Sequence, residues 1–271
     1  MAEPVIELLA AEWTALDALC STLTTEDWAL PTDCPGWTVQ DQLAHLVGTE
    51  SMLAGDPAPP DAGDDPAHVR NAIGRANEAW IASMRDLPPS EVLARFRAVT
   101  ARRLDQLRAG GPDLFDALGP SPVGRVPYRE FMNVRVMDHW VHEQDIRRAV
   151  GRPGHRSGPV VEHSLARFEP AMAFVVGKKA AAPEGTSVRF ELGGEAPRRI
   201  DVAVRDGRAV LAVPPDAPDA PTVTLRLDVE TWWCLALGRR DGPTALAVGD
   251  VAVDGDIALG ERIVDNLTFM I

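Results

Sequence analysis

The chain changes its period once. Up to about residue 150 its apolar side chains recur at spacings of three and four; beyond about residue 176 they alternate in short runs rich in Val, Ile and Leu. A period of 3.6 specifies amphipathic helices and a period of 2 half-buried strands, so the two halves belong to different layers. Between them G-R-P-G-H-R-S-G-P, Gly151 to Pro159, has the composition of a linker. The expectation is an α+β chain of two domains: residues 1–152 an all-helical bundle, residues 160–271 a smaller α+β unit. At 271 residues, 45% hydrophobic and 25% charged, the chain can build both as globular domains.

In the first half, Ile6, Leu9, Trp13, Leu16, Leu19 and Cys20 mark a helix from Val5 to Leu23. The turn-rich P-T-D-C-P-G-W follows, and Thr38 with Asp41 three residues on makes a capping-box-like start for a helix to about Leu53. Ala54 to Pro66 is a long Pro/Gly/Asp connection. Helices are expected over about Ala67 to Leu87 and Ser90 to Ala109, then an irregular stretch through Pro127, then a helix ending near Val150. In the second half a helix over about Val160 to Val176 leads into strands S-V-R-F-E-L, R-I-D-V-A-V and R-A-V-L-A-V, the last two joined by a hairpin at Asp206-Gly207. P-T-V-T-L-R-L is a further strand, Asp228 a helix cap, and Asp256 to Leu267 a final helix, giving an antiparallel-rich sheet with flanking helices.

A net charge of −13 opposes binding to nucleic acid or anionic membrane, so small molecules are the expected partners. There is no run of about 18 apolar residues, and M-A-E-P-V lacks the basic-then-apolar pattern of a signal peptide, so the expected compartment is the cytoplasm. Cys20, Cys34 and Cys234 are widely spaced and odd in number, which predicts reduced thiols; Cys34, near a helix start, is either reactive or a packing residue. Lysine occurs only at Lys178 and Lys179 among abundant Ala and Arg, the bias of a GC-rich bacterial genome.

Val134 to Val150 carries the chemistry. At about 100° per residue, Arg135, Asp138, His142 and Asp145 share one arc of a helix. A carboxylate and an imidazole four apart meet over one turn and form half of a metal site, or else the stripe is a solvated face of ion pairs. Glu143, Gln144, Arg147 and Arg148 fall on the opposite arc, which reads as the wet one in this C-terminal half; Val136, Met137, Trp140 and Val141 leave the orientation of the N-terminal half open. His139, at the edge of the polar arc, is either a rival ligand or exposed. A third ligand must come from another helix of the bundle. His45 lies about 130° from the middle of the Val39, Leu43, Leu46, Val47 and Leu53 stripe and is the best candidate, whereas His68, His155 and His163 are expected to face solvent.

T-D-C-P-G-W-T-V-Q-D-Q-L-A-H-L-V-G together with M-D-H-W-V-H-E-Q-D-I-R-R-A-V-G-R-P-G resembles the mycothiol-dependent maleylpyruvate isomerase-like enzymes of actinobacteria. The resemblance covers nearly the whole chain and implies a DinB-like four-helix bundle followed by a small sterol-carrier-like α+β domain. It implies a triad of His45, Asp138 and His142 on a divalent metal, with zinc the expected ion and mycothiol the thiol cofactor. The acid is commonly glutamate in the isomerase and is aspartate here, a shorter reach. The implied chemistry is a thiol losing its proton at the metal and attacking a small electrophilic substrate. It leaves again after rotation about a former double bond in an isomerase, or stays attached in an S-transferase. Asp145 is expected either to orient a ligand or to pair with Arg148. Arg239 and Arg240 are expected either to hold a substrate carboxylate or to be surface arginines. The rival reading is a non-catalytic protein whose second domain binds an apolar ligand beside Trp232 and Trp233, with the bundle as scaffold.

Overall fold

The two periods fold into two units, Met1–His155 and Arg156–Ile271, in the computed structural model, which describes residues 3–60, 63, 66–122, 124–212 and 219–270. Asp61, Ala62, Asp64 and Asp65 of the long connection, and Val213 at the end of the expected third strand, lie outside the described residues.

The first unit contains α1 (Pro4–Cys20), α2 (Thr25–Trp28), α3 (Val39–Leu53), α4 (Ala72–Ala82), α5 (Pro89–Ala109), α6 (Pro112–Asp116), the strands β1 (Leu118–Ser121) and β2 (Gly124–Pro127), and α7 (Tyr128–Ala149). Helices α1 and α3 each pack on α5 and α7, which closes a four-helix bundle, and α4 lies on α3. The sequence stripes are its core: Leu9, Leu16, Leu43 and Leu46 are buried, as is Phe96 of α5, each worth about 1.5–3 kcal/mol of transfer from water. Helix α3 starts where expected, because Thr38 and Asp41 form a reciprocal capping box that satisfies two N-terminal amides.

The structure corrects the sequence reading in three places here. Helix α4 begins at Ala72 rather than near Ala67, because the Asn71 side chain caps it by accepting from the Gly74 amide at 2.9 Å. The stretch through Pro127, expected to be irregular, holds α6 and an antiparallel hairpin pairing Leu118 with Pro127 and Ser121 with Gly124; Pro120 and Pro127 mask it, because proline disfavours a strand. The arc of α7 expected to be wet is not wet: Glu143 and Gln144 are buried. The cause is the segment after α7, which folds back on it. Trp140 Nε1 donates to the His155 carbonyl at 3.0 Å, and Gln144 Nε2 donates to the carbonyls of Gly154 and His155 at 3.2 and 3.3 Å.

In the second unit α8 (Pro159–Phe174) runs into a π-helical turn (Val175–Lys179), followed by β3 (Ser187–Gly193), β4 (Arg198–Arg205), β5 (Arg208–Leu211), β6 (Val223–Asp228), α9 (Val229–Ala236), α10 (Gly242–Ala247), β7 (Val251–Gly255) and α11 (Ile257–Asp265). The sheet order is β5-β4-β3-β6-β7, parallel between β3 and β6 and antiparallel elsewhere. Asp206 and Gly207 both have positive φ, 53° and 72°, as a tight hairpin turn requires. The strand β7 and helix α10 were not expected; alternation in V-A-V-D-G is too short to stand out. Trp232 and Trp233 are core residues, 0% and 3% exposed, with Trp232 edge-on to Phe168. Among the described residues no helix is long and apolar enough to cross a membrane.

Candidate metal centre

Two helices and one tight loop assemble the site. The loop before α3 closes on itself through Thr32 N to Trp37 O at 3.0 Å and Trp37 N to Cys34 O at 3.1 Å. Gly36 takes φ +80°, and a Cβ there would sit 2.8 Å from His68 Nδ1, so both backbone and space call for glycine. This turn lays the Trp37 indole over two imidazoles, with ring centroids 5.2 Å from His45 and 5.9 Å from His142. His45 reaches in from α3 and His142 from α7, their rings 4.7 Å apart. Asp138 stands one turn before His142, as the helical period requires.

The three sequence candidates converge. His45 Nε2 lies 3.4 Å from Asp138 Oδ2, His142 Nε2 lies 3.7 Å from Asp138 Oδ1, and one ligand atom from each residue falls within 4.8 Å of the others. Ligands bound at 2.0–2.2 Å in a tetrahedron are about 3.3–3.6 Å apart, so the spacing suits one small cation. His45 and His142 are 5% and 7% exposed, while the Asp138 side chain is 29% exposed. That leaves access from the carboxylate side.

The surrounding groups fix how each ligand presents itself. Gln42 Oε1 lies 2.5 Å from His142 Nδ1, and Gln42 Nε2 donates to Thr32 Oγ1 at 2.6 Å, which donates onward to the Trp37 carbonyl at 2.9 Å. With the amide oxygen turned to it, His142 Nδ1 carries the proton and Nε2 keeps its lone pair toward Asp138. Arg135 Nη1 donates to Asp138 Oδ2 at 2.5 Å while Arg135 Nε donates to Glu50 Oε1 at 2.9 Å; Arg103 Nε donates to Glu50 Oε2 at 3.0 Å and its Nη2 to Tyr128 Oη at 2.7 Å. Burial alone would raise the Asp138 carboxyl, but the Arg135 charge and the hydrogen bond from His45 outweigh it and hold Asp138 well below the usual carboxylate range. The acid is therefore an anion and ready to ligate at neutral pH.

Other candidates fall elsewhere. His139 is fully buried, edge-on to Trp13, with Nδ1 on the Arg135 carbonyl at 2.7 Å; burial and the Arg135 charge depress its pKa to about 4, so it is a neutral core histidine. Asp145 is buried beside His142, its Oδ2 3.7 Å from Nδ1 and accepting from the Cys34 thiol at 3.3 Å, while Arg148 pairs with Asp33. His68 and His155, expected to face solvent, instead meet Glu78 at 3.1 Å and Glu143 at 2.6 Å. Arg239 follows α9 and is half-buried, its Nη1 donating to the Leu237 carbonyl at 2.9 Å. Gln42, Glu50, Arg103 and Trp37 escaped the sequence reading. Gln42 and His45 share a face of α3 at i and i+3, which is the one signal that pointed to it.

The Gln42 contact predicts its own test. Gln42→Ala removes the Gln42 acceptor from His142 Nδ1, and zinc affinity measured by competitive titration is expected to fall about 10–100-fold; Gln42→Glu, which keeps an acceptor there, is expected to retain most of it. Unchanged affinity in Gln42→Ala would show that the tautomer is fixed otherwise.

Comparison with known proteins gives this arrangement its class. Residues 9–147 match the family model described as the mycothiol maleylpyruvate isomerase N-terminal domain, and residues 175–267 match the SCP-2 sterol transfer family. The chain belongs to the mycothiol maleylpyruvate isomerase N-terminal domain family and carries an SCP-2-type domain after it. Crystal structures of the mycothiol-dependent maleylpyruvate isomerase and of a point mutant of it share the fold, each with a TM-score of 0.56 at 18% and 17% identity, covering 93% of this chain and 92% of theirs. Two uncharacterized proteins of Mycobacterium tuberculosis, from strains H37Rv and CDC 1551, are 31% identical over 153 residues, 55% of this chain. The chain thus spans a little over half, 57%, of the length of those relatives.

Proposed function

We propose that this protein is a metal-dependent enzyme that uses mycothiol, as an isomerase or as an S-transferase. The observation that carries this reading is the convergence of His45 Nε2, His142 Nε2 and the Asp138 carboxylate on one point, with the far nitrogen of His142 held by Gln42. The donor set fits zinc: two imidazoles and one carboxylate, leaving room for an exogenous ligand. A cation there would supply Lewis acidity that lowers the pKa of a thiol near it. Everything else falls to the chain. Arg135 keeps Asp138 anionic and oriented, Gln42 sets the His142 tautomer, Trp37 covers the imidazoles on one side, and Asp145 with Cys34 packs behind His142 as a positioning pair.

The family match and the fold of the mycothiol-dependent maleylpyruvate isomerase support thiol chemistry on a small electrophile. Arg239, in the second unit, is proposed as a carboxylate-binding side chain, and Arg239→Ala is expected to weaken binding of a dicarboxylate about tenfold or more in calorimetric titration; unchanged affinity would remove that role. The binding-only reading loses the feature that motivated it, since Trp232 and Trp233 are packed into the core.

The deciding assay incubates zinc-loaded protein with mycothiol and either maleylpyruvate or a chloro-activated electrophile. An isomerase converts maleylpyruvate to its trans isomer with mycothiol unconsumed, and a transferase consumes mycothiol one for one as a thioether. A rate with neither substrate above the metal-free control would overturn the proposal.

A further inference from the structure

Helix α7 carries a second cluster of ligand-type side chains on its α1 side, away from His142. Glu12 of α1, Glu143 of α7 and His155 just beyond α7 bring one ligand atom each within 4.8 Å of one another. His155 Nδ1 is 2.6 Å from Glu143 Oε2 and 3.5 Å from Glu12 Oε2. Both glutamates are 0% exposed, and neither oxygen of Glu12 has a hydrogen-bond donor among the described residues. Arg147 pairs with Glu143, with Nε at 2.8 Å and Nη2 at 2.7 Å from Oε1.

A buried carboxylate whose oxygens accept no hydrogen bond is costly, and a proton or a cation removes the cost. The placement of His155 favours a cation. Its backbone takes φ +51°, unusual for a non-glycine residue. Its carbonyl is held by Trp140 Nε1 and Gln144 Nε2, which fixes the ring against both carboxylates. Its side chain is 20% exposed, so the cluster is reachable from solvent on the His155 side.

We propose that Glu12, Glu143 and His155 form a second divalent-cation site, separate from His45, Asp138 and His142 and suited by its two carboxylates and one imidazole to manganese, ferrous iron or zinc. The ion ties α1 to α7 and to the segment at the end of the first unit. It needs nothing from the chemistry proposed above.

The test uses the full-length protein carrying His45→Ala, so that the first centre is disabled and failure of the two proposals can be told apart. Manganese binding is followed by the loss of the free-ion electron paramagnetic resonance signal. The His45→Ala protein is expected to bind one equivalent, and adding Glu12→Gln, which keeps the side-chain shape, is expected to lower affinity at least about 100-fold. The infrared carbonyl band of a protonated carboxylic acid, present in metal-free protein and absent from Glu12→Gln, is expected to vanish as manganese is added. No binding at millimolar manganese, binding that Glu12→Gln leaves intact, or a band that persists at saturation would each overturn the site, the last by showing that Glu12 and Glu143 share a proton instead.

Discussion

His142→Ala is expected to empty the centre formed with His45 and Asp138, with zinc affinity there falling by about 1,000-fold or more, since loss of a ligand exceeds the 10–100-fold that loss of a supporting residue costs. Thiol-dependent turnover is expected to drop to the metal-free background. His142 also lies near Cys34 and Asp145, whose ligand atoms fall within 4.8 Å of one of its own. Two further variants therefore locate the ion. Asp138→Asn is expected to lose it, and Cys34→Ser to keep it, because the His142 nitrogen on the Cys34 side is committed to Gln42 at 2.5 Å. Metal analysis of the purified variants reads the result. Retention in Asp138→Asn with loss in Cys34→Ser would move the site to the other side of the ring. His139→Ala is the control, since that imidazole is bound to the Arg135 carbonyl within the core.

The second large effect is expected in stability. Glu50 sits 1% exposed between Arg135 and Arg103, themselves 3% exposed, and accepts from both. Burial would raise its carboxyl, but the Arg135 and Arg103 charges hold it below its usual value. Glu50→Gln keeps the volume and removes the charge, leaving two buried guanidinium groups to share weaker partners. The expected cost is about 3–5 kcal/mol, the range for breaking one side of a buried ion pair. In urea unfolding this appears as a lower midpoint at constant slope. Zinc affinity is expected to fall with it, because Arg135 connects Glu50 to Asp138. A loss below about 1 kcal/mol, the value of an exposed pair, would mean that water reaches these charges.

Much of this was legible in the residues. The bundle helices announced themselves by period, and α3 by its Thr38 and Asp41 cap, because helix periodicity and capping are local. The triad was legible for a related reason: Asp138 and His142 are one turn apart, and His45 stands off its helix's apolar stripe. What stayed hidden depends on packing. Glu143 and Gln144 read as solvated, yet the chain after Gly151 returns over them, and nothing local to α7 foretells that return. Glu50 and Arg103 lie on separate helices, and nothing in the sequence around either foretells the buried network they form where α3 and α5 meet. The β1–β2 hairpin was obscured by its prolines, and β7 by its brevity.

One cation is expected where α3 and α7 face each other, and anomalous diffraction from zinc-soaked crystals at the zinc edge would locate it. The expected peak lies about 2.0–2.2 Å from His45 Nε2, His142 Nε2 and an Asp138 carboxylate oxygen, with Gln42 still on His142 Nδ1. Density free of any peak there at saturating zinc, with the three side chains placed as described, would contradict it.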